Sequence, residues 1–157
     1  NPPTKWKGVR LDAAGNIIEI VAQNTKMEGT LDVTKLLEQL PHLQVLDLSG
    51  HKLSGTFNTT ENSRALPLVK LDLFRFDVSG SPLTGMFDFD HLPATISHLD
   101  LLNNSFTIKN WSSVAKFTAL SWLWLPCNDL SSAGNIDFSL LPRGIQRFSI
   151  ESCKFAP

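Results

Sequence analysis

Three short runs in this chain set side chains capable of chemistry two residues apart: Lys70-Leu71-Asp72, His98-Leu99-Asp100 and Trp122-Leu123-Trp124. In an extended strand, residues i and i+2 share a face, so each run would show a polar or aromatic pair on one side and bury a leucine on the other. Two indoles displayed together are the material of interface anchors, and the same rings could stack on a sugar. The plainer alternative lays one indole flat over the sheet as a satellite core, covered by Arg147 or a rim loop. The carboxylates of Asp47, Asp72 and Asp100, with Lys70 and His98 alongside, could grip a basic partner or a divalent cation. They could equally be the soluble, cross-strand-paired aspartates of an ordinary wet strand. A metal site on its own lacks a converging fourth ligand, and none is assigned.

Other chemistry is missing from the sequence. It has no Gly-rich phosphate loop, no H-E-x-x-H and no nucleophile elbow, and no Ser or Cys is placed for His98 and Asp100 to polarise. Neither catalysis nor a cofactor is expected. The formal net charge of −1 offers nothing to a phosphate backbone or an anionic lipid surface. No apolar run approaches the roughly 20 residues of a membrane span. Two cysteines, Cys127 and Cys153, are too few for a disulfide framework. They fall on neighbouring copies of the pattern described next, and whether they bridge stays open.

The elements that would position these residues come from one phrase written six times. Apolar ladders start at Ile17, Leu43, Leu68, Ile96, Leu120 and Ile145, with apolar residues again at the fourth and sixth places of each. A period of about 25 residues implies stacked supersecondary units sharing one continuous core, which display surface rather than enclose a cavity. Numbering each ladder from its first residue, places 4 and 6 face inward and 3, 5 and 7 outward. Place 9 holds Asn104 and Asn128, whose amides could bond backbone left open where the strand turns away. His51 and Cys153 would substitute for them, with Thr25 in the first copy. In the third copy Phe76 cannot, and Gly85, the counterpart of Gly29 and Gly55, moves the true place 9 to Ser81. The segment from Phe74 to Gly80 therefore carries an insertion. Two return segments look helical, Val33 to Leu40 and Asn110 to Phe117. Those through 88–93 and 137–142 are Pro-stopped and expected to be extended or 3₁₀.

The segment from Leu43 to Gly55 fits L-x-x-L-x-L-x-x-N-x-L-x-G at every place but His51, and on this pattern residues 17–155 resemble the leucine-rich repeat family. The stretch Trp6-Lys7-Gly8-Val9-Arg10-Leu11, followed by Gly15-Asn16-Ile17, is similar to the N-terminal cap hairpin of extracellular members, with Leu11 where that cap has Cys. A narrower resemblance, carried by residues 134–145 and 85–96, is to the surface-antigen-like repeats of trypanosomatid protozoa. The resemblance implies an α/β solenoid in a single domain, 1–157. Its cap hairpin would be 1–16, with a parallel sheet on the concave face of a right-handed arc and mixed short-helix, 3₁₀ and extended returns on the convex side. It also implies protein recognition, at an extracellular or cell-surface location or, failing that, in the cytoplasm.

Stacking equal places about 4.8 Å apart gathers Lys70, His98, Trp122 and Arg147 in one column and Asp47, Asp72, Asp100 and Trp124 in the next. Phe74 and Leu102 flank them. The expected contact residues for a protein partner, or alternatively a glycan, are Lys70, Asp72, Phe74, His98, Asp100, Leu102, Trp122, Trp124 and Arg147. Of the sequons at Asn58, Asn103 and Asn110, Asn58 is expected to be the accessible one. The sixth ladder ends without a polar cap, so further repeats or another chain are expected to cover that end.

Overall fold

The computed structural model describes residues 7–24, 26–73 and 82–157. Each of the six ladders forms a short strand, and the cap and the segments after the ladders add five more: β1 (Val9–Leu11), β2 (Ile17–Val21), β3 (Glu28–Asp32), β4 (Val45–Asp47), β5 (Lys52–Thr56), β6 (Lys70–Asp72), β7 (Leu83–Asp88), β8 (His98–Asp100), β9 (Ser105–Lys109), β10 (Trp122–Trp124) and β11 (Arg147–Ser149). They build a seven-stranded sheet in the order β1-β2-β4-β6-β8-β10-β11 and a four-stranded sheet in the order β3-β5-β7-β9. β1 and β2 pair antiparallel, as the cap pattern predicts, and every other pairing is parallel. Trp6, at the head of that cap, and the insertion from Phe74 lie outside the described residues.

In the larger sheet equal places stand opposite each other, Val45 by Lys70, Lys70 by His98, His98 by Trp122 and Trp122 by Arg147. Leu46, Leu71, Leu99 and Leu123 at place 4 are buried, and so are Leu48, Leu73, Leu101 and Leu125 at place 6. The smaller sheet was not anticipated, and its register differs. Gly29 faces Leu53, Gly55 faces Leu83 and Gly85 faces Phe106, a slip of two residues per copy. A slip of two keeps side-chain parity, so Phe57, Phe87 and Phe106 all remain buried and pack together with centroids 5.0 to 6.5 Å apart, Phe57 edge-on to the other two. Glycine is needed at the crossing points. Gly55 and Gly85 have φ of 119° and 134°, and a Cβ there would meet Leu31 O at 2.1 Å and Phe57 O at 2.2 Å.

Both sheets and the returns share one apolar cluster. The first predicted helix forms as α1 (Val33–Gln39), capped by the Asp32 carboxylate on the Lys35 N–H, with Val33 and Leu37 buried. The second predicted helix is 3₁₀ over Trp111–Lys116, burying Trp111 and Val114. The Pro-stopped returns contain 3₁₀ turns at Phe89–His91 and Phe138–Leu140. A further turn at Glu61–Ala65 lies where the sequence shows no pattern, and Thr60 and Ser63 close it with a capping box. No helix among the described residues is long and apolar enough to cross a membrane.

Place 9 does what the amide spacing predicts. Asn128 Nδ2 donates to Leu101 O at 2.8 Å and Leu125 O at 2.9 Å, and its Oδ1 accepts the Phe106 N–H at 2.9 Å. Asn104 repeats this one copy earlier, on Leu73 O at 2.8 Å and the Leu83 N–H at 3.3 Å. His51 substitutes with Nδ1 on the Met27 N–H and Nε2 on Ala22 O, and the Cys153 thiol donates to Leu125 O. Both cysteines are free. Replacing Asn128 with Ala strands several buried backbone groups at once and is expected to cost about 3–4 kcal/mol. Urea denaturation checks this, and a loss under about 1 kcal/mol would show that the amide is not structural.

Candidate functional site

Four adjacent strands, β6, β8, β10 and β11, carry the chemistry-bearing face. Trp122 is its centre. The His98 ring stacks on it at 5.1 Å and 20°, and the Arg147 guanidinium lies 5.6 Å from the indole centroid. Because His98 and Arg147 come from strands on opposite sides of β10, they cover opposite faces of the indole. Trp124 leans on Trp122 with centroids 5.7 Å apart. Both indoles are half-buried, and Trp122 takes part of the packing role that the plainer alternative describes.

The aspartate column departs from expectation. Asp47, Asp72 and Asp100 are not solvated strand residues; they are 0%, 8% and 8% exposed. A short carboxylate at place 5 can fold back onto the N–H two residues on, and the longer side chains of places 3 and 7 then close over it. Asp47 Oδ1 accepts from the Ser49 N–H at 3.1 Å and the Ser49 hydroxyl at 2.7 Å, while Asp100 Oδ1 accepts from the Leu102 N–H at 3.1 Å. Asp47 is well satisfied, since Gln23 Nε2 donates to its second oxygen at 2.6 Å and the Lys70 ammonium pairs with it as well. Burial pushes its pKa up, but the bonds from Lys70, Ser49 and Gln23 outweigh that and hold it below the ordinary value. Gln23 and Ser49 were not among the predicted contacts. Place 7 beside the aspartate column was the available signal.

Asp72 lies 3.7 Å from Lys70 Nζ and 3.5 Å from His98 Nε2. Among the described residues Asp100 has no cation in contact. Burial, reinforced by the Asp72 charge, pushes its pKa from 3.8 up to about 6, against the opposing pull of the Leu102 N–H, His98 and Trp122. Two nitrogens face this corner without hydrogen bonds, His98 Nε2 and Trp122 Nε1, the latter near Asp100 but not in bonding geometry. One ligand atom each from Asp72, His98 and Asp100 lie within 4.8 Å of one another.

The structure therefore assembles Lys70, Asp72, His98, Asp100, Trp122, Trp124 and Arg147, with the half-buried Leu102 at the border. Phe74 lies outside the described residues. Asn58 is exposed, but its Oδ1 accepts the Met86 N–H at 2.8 Å, and Asn110 is equally exposed. Away from this face, His91 Nε2 lies 2.9 Å from Glu61 Oε1.

No family model matches the chain. An inactive leucine-rich repeat receptor-like serine/threonine-protein kinase of Arabidopsis thaliana is 37% identical over 54 residues, covering 34% of this chain and 8% of that protein. Among solved structures, a chain of the BIR3–SERK2 complex from Arabidopsis thaliana matches with a TM-score of 0.52 at 22% identity, over 98% of this chain and 66% of that one. The chain thus spans a small fraction of the first relative and just under two thirds of the second. The ladders, the local sequence match and the fold agree in likening the chain to leucine-rich repeat proteins.

The folded Asp100 carboxyl keeps its proton to about pH 6, whereas an unfolded one releases it near 3.8. Between those values the folded state binds more protons, so stability falls as pH rises through the window, by about 3 kcal/mol in all. The groups facing Asp100 are Asp72, His98 and Trp122. Asp100→Asn is expected to match the parent at pH 4 and exceed it at pH 8. Chemical denaturation at the two values decides this, and equal parent-to-variant differences at both would remove the strained carboxylate.

Proposed function

We propose that the chain is a right-handed leucine-rich repeat solenoid whose seven-stranded sheet lines the concave face. In this reading it is a non-enzymatic recognition module that binds a protein partner on that face. The observation that carries the proposal is the contiguous stack of His98, Trp122 and Arg147 beside Trp124. Half-buried aromatic rings held by their neighbours lose little side-chain freedom on docking, which is what anchor residues need. Arg147 and Lys70 add positive charge at the two ends of this row, and the aspartate column adds negative charge beside it, setting polarity and approach.

A sugar would need an open indole face. His98 and Arg147 cover both faces of Trp122, leaving Trp124 as the platform, which favours protein over glycan. An extracellular or cell-surface location accords with a receptor-like relative.

The test is capture from an extracellular extract on immobilised protein, run beside a glycan array. The parent is expected to retain a protein that the Trp122→Ala/Trp124→Ala variant binds at least about 30-fold more weakly. Its melting temperature should stay within a few degrees of the parent. An unfolded variant would make the indoles core residues, and array binding without a captured protein would turn the reading to sugar.

A further inference from the structure

We propose that Asp72, His98 and Asp100 form a binding site for a zinc-class divalent cation, set between β6 and β8 under the edge of Trp122. The donor set is one imidazole nitrogen and two carboxylate oxygens, with ligand atoms already within 4.8 Å of one another in the free chain. Nitrogen among the donors selects zinc or its first-row neighbours over calcium or magnesium, which take oxygen alone.

The three residues are more than a chance meeting of acids. Asp100 is 8% exposed, and among the described residues it has no counter-cation and accepts one hydrogen bond, on Oδ1. His98 Nε2 is enclosed and makes no hydrogen bond, standing 3.5 Å from Asp72 Oδ2. An unbonded imidazole nitrogen and an uncompensated carboxylate facing the same point each lack a Lewis acid, and one dication supplies both. The ring is also held in place, because its stack on Trp122 fixes its plane. Lys70 does not fill the role. Its ammonium approaches Asp72 only to 3.7 Å and pairs more closely with Asp47. With three protein donors, a tetrahedral ion keeps one place for water, and a water there offers an oxygen to the unbonded Trp122 Nε1–H.

The experiment titrates Zn²⁺ into protein carrying Cys127→Ser and Cys153→Ser, which removes the free thiols as competing ligands. Calorimetry and tryptophan emission both read the titration, since the site touches Trp122. The expected result is one saturable site whose affinity drops at least about tenfold in His98→Gln and in Asp100→Asn. Asp129→Asn, on a half-buried carboxylate paired with Lys154 away from the site, should leave it unchanged. Melts in excess chelator show that each variant is folded, and added Zn²⁺ should raise the melting temperature of the parent alone. The site is overturned if nothing saturates below about 1 mM, if Ca²⁺ binds as well as Zn²⁺, or if either ligand variant keeps parental affinity while folded.

Discussion

The buried hydrogen-bonding side chain at place 9 is the constraint on which the rest of the chain depends. At that point the backbone leaves the seven-stranded sheet, and its carbonyls can no longer be paired by the neighbouring strand. A buried unpaired carbonyl is costly, and in four copies a donor at this place reaches inward to prevent it. Asn128 reaches Leu101 O, Asn104 reaches Leu73 O, His51 reaches Ala22 O and Cys153 reaches Leu125 O. In every case the acceptor belongs to the preceding copy, so the side chain that closes one turn also ties it to its neighbour. The amide oxygens then meet the N–H groups of Leu83 and Phe106, where the strands of the second sheet begin. One residue type thus fixes both where the first sheet ends and where the second starts.

Much of this was legible because it obeys spacing. Period and parity identify the core leucines, and His51 and Cys153 were readable as substitutes because they occupy a place where only a compact hydrogen-bonding group fits. Gly85 was readable as the counterpart of Gly29 and Gly55, and all three lie in strands of the second sheet. The second sheet was illegible for a physical reason. Its strands, such as Glu28–Asp32 and Lys52–Thr56, contain a glycine and several polar residues, a composition that reads as loop. They hold as strands through parallel pairing with neighbouring copies, not through intrinsic preference. Their two-residue slip also depends on backbone crossing at Gly55 and Gly85, which spacing alone does not reveal.

The candidate face was legible as a set of columns but not as a set of depths. Alternation places Asp47, Asp72 and Asp100 outward, and they do leave the strand on that side. What alternation omits is the length of the neighbours. Flanked by Lys70, His98 and Trp122, a short carboxylate is roofed over, whereas the longer Arg147 at the last strand stays exposed. The two indoles were legible as outward for the same reason, and half-buried because each lies against the other.

That roofing divides the column into unlike sites. Asp47 is enclosed with a cation and three further donors, so its charge is stabilised and it acts as structure. Asp100 is enclosed to nearly the same degree with one backbone N–H, so its charge is left uncompensated. A buried, poorly compensated carboxylate reduces stability, and folds tend to keep such strain where something outside the chain relieves it. The relief would have to be positive and would have to sit beside Asp72 and His98. The rigid aromatic stack and the uncompensated charge are therefore neighbours on one surface: the stack supplies fixed shape, the charge supplies attraction, and each is placed by a leucine that points the other way into the core.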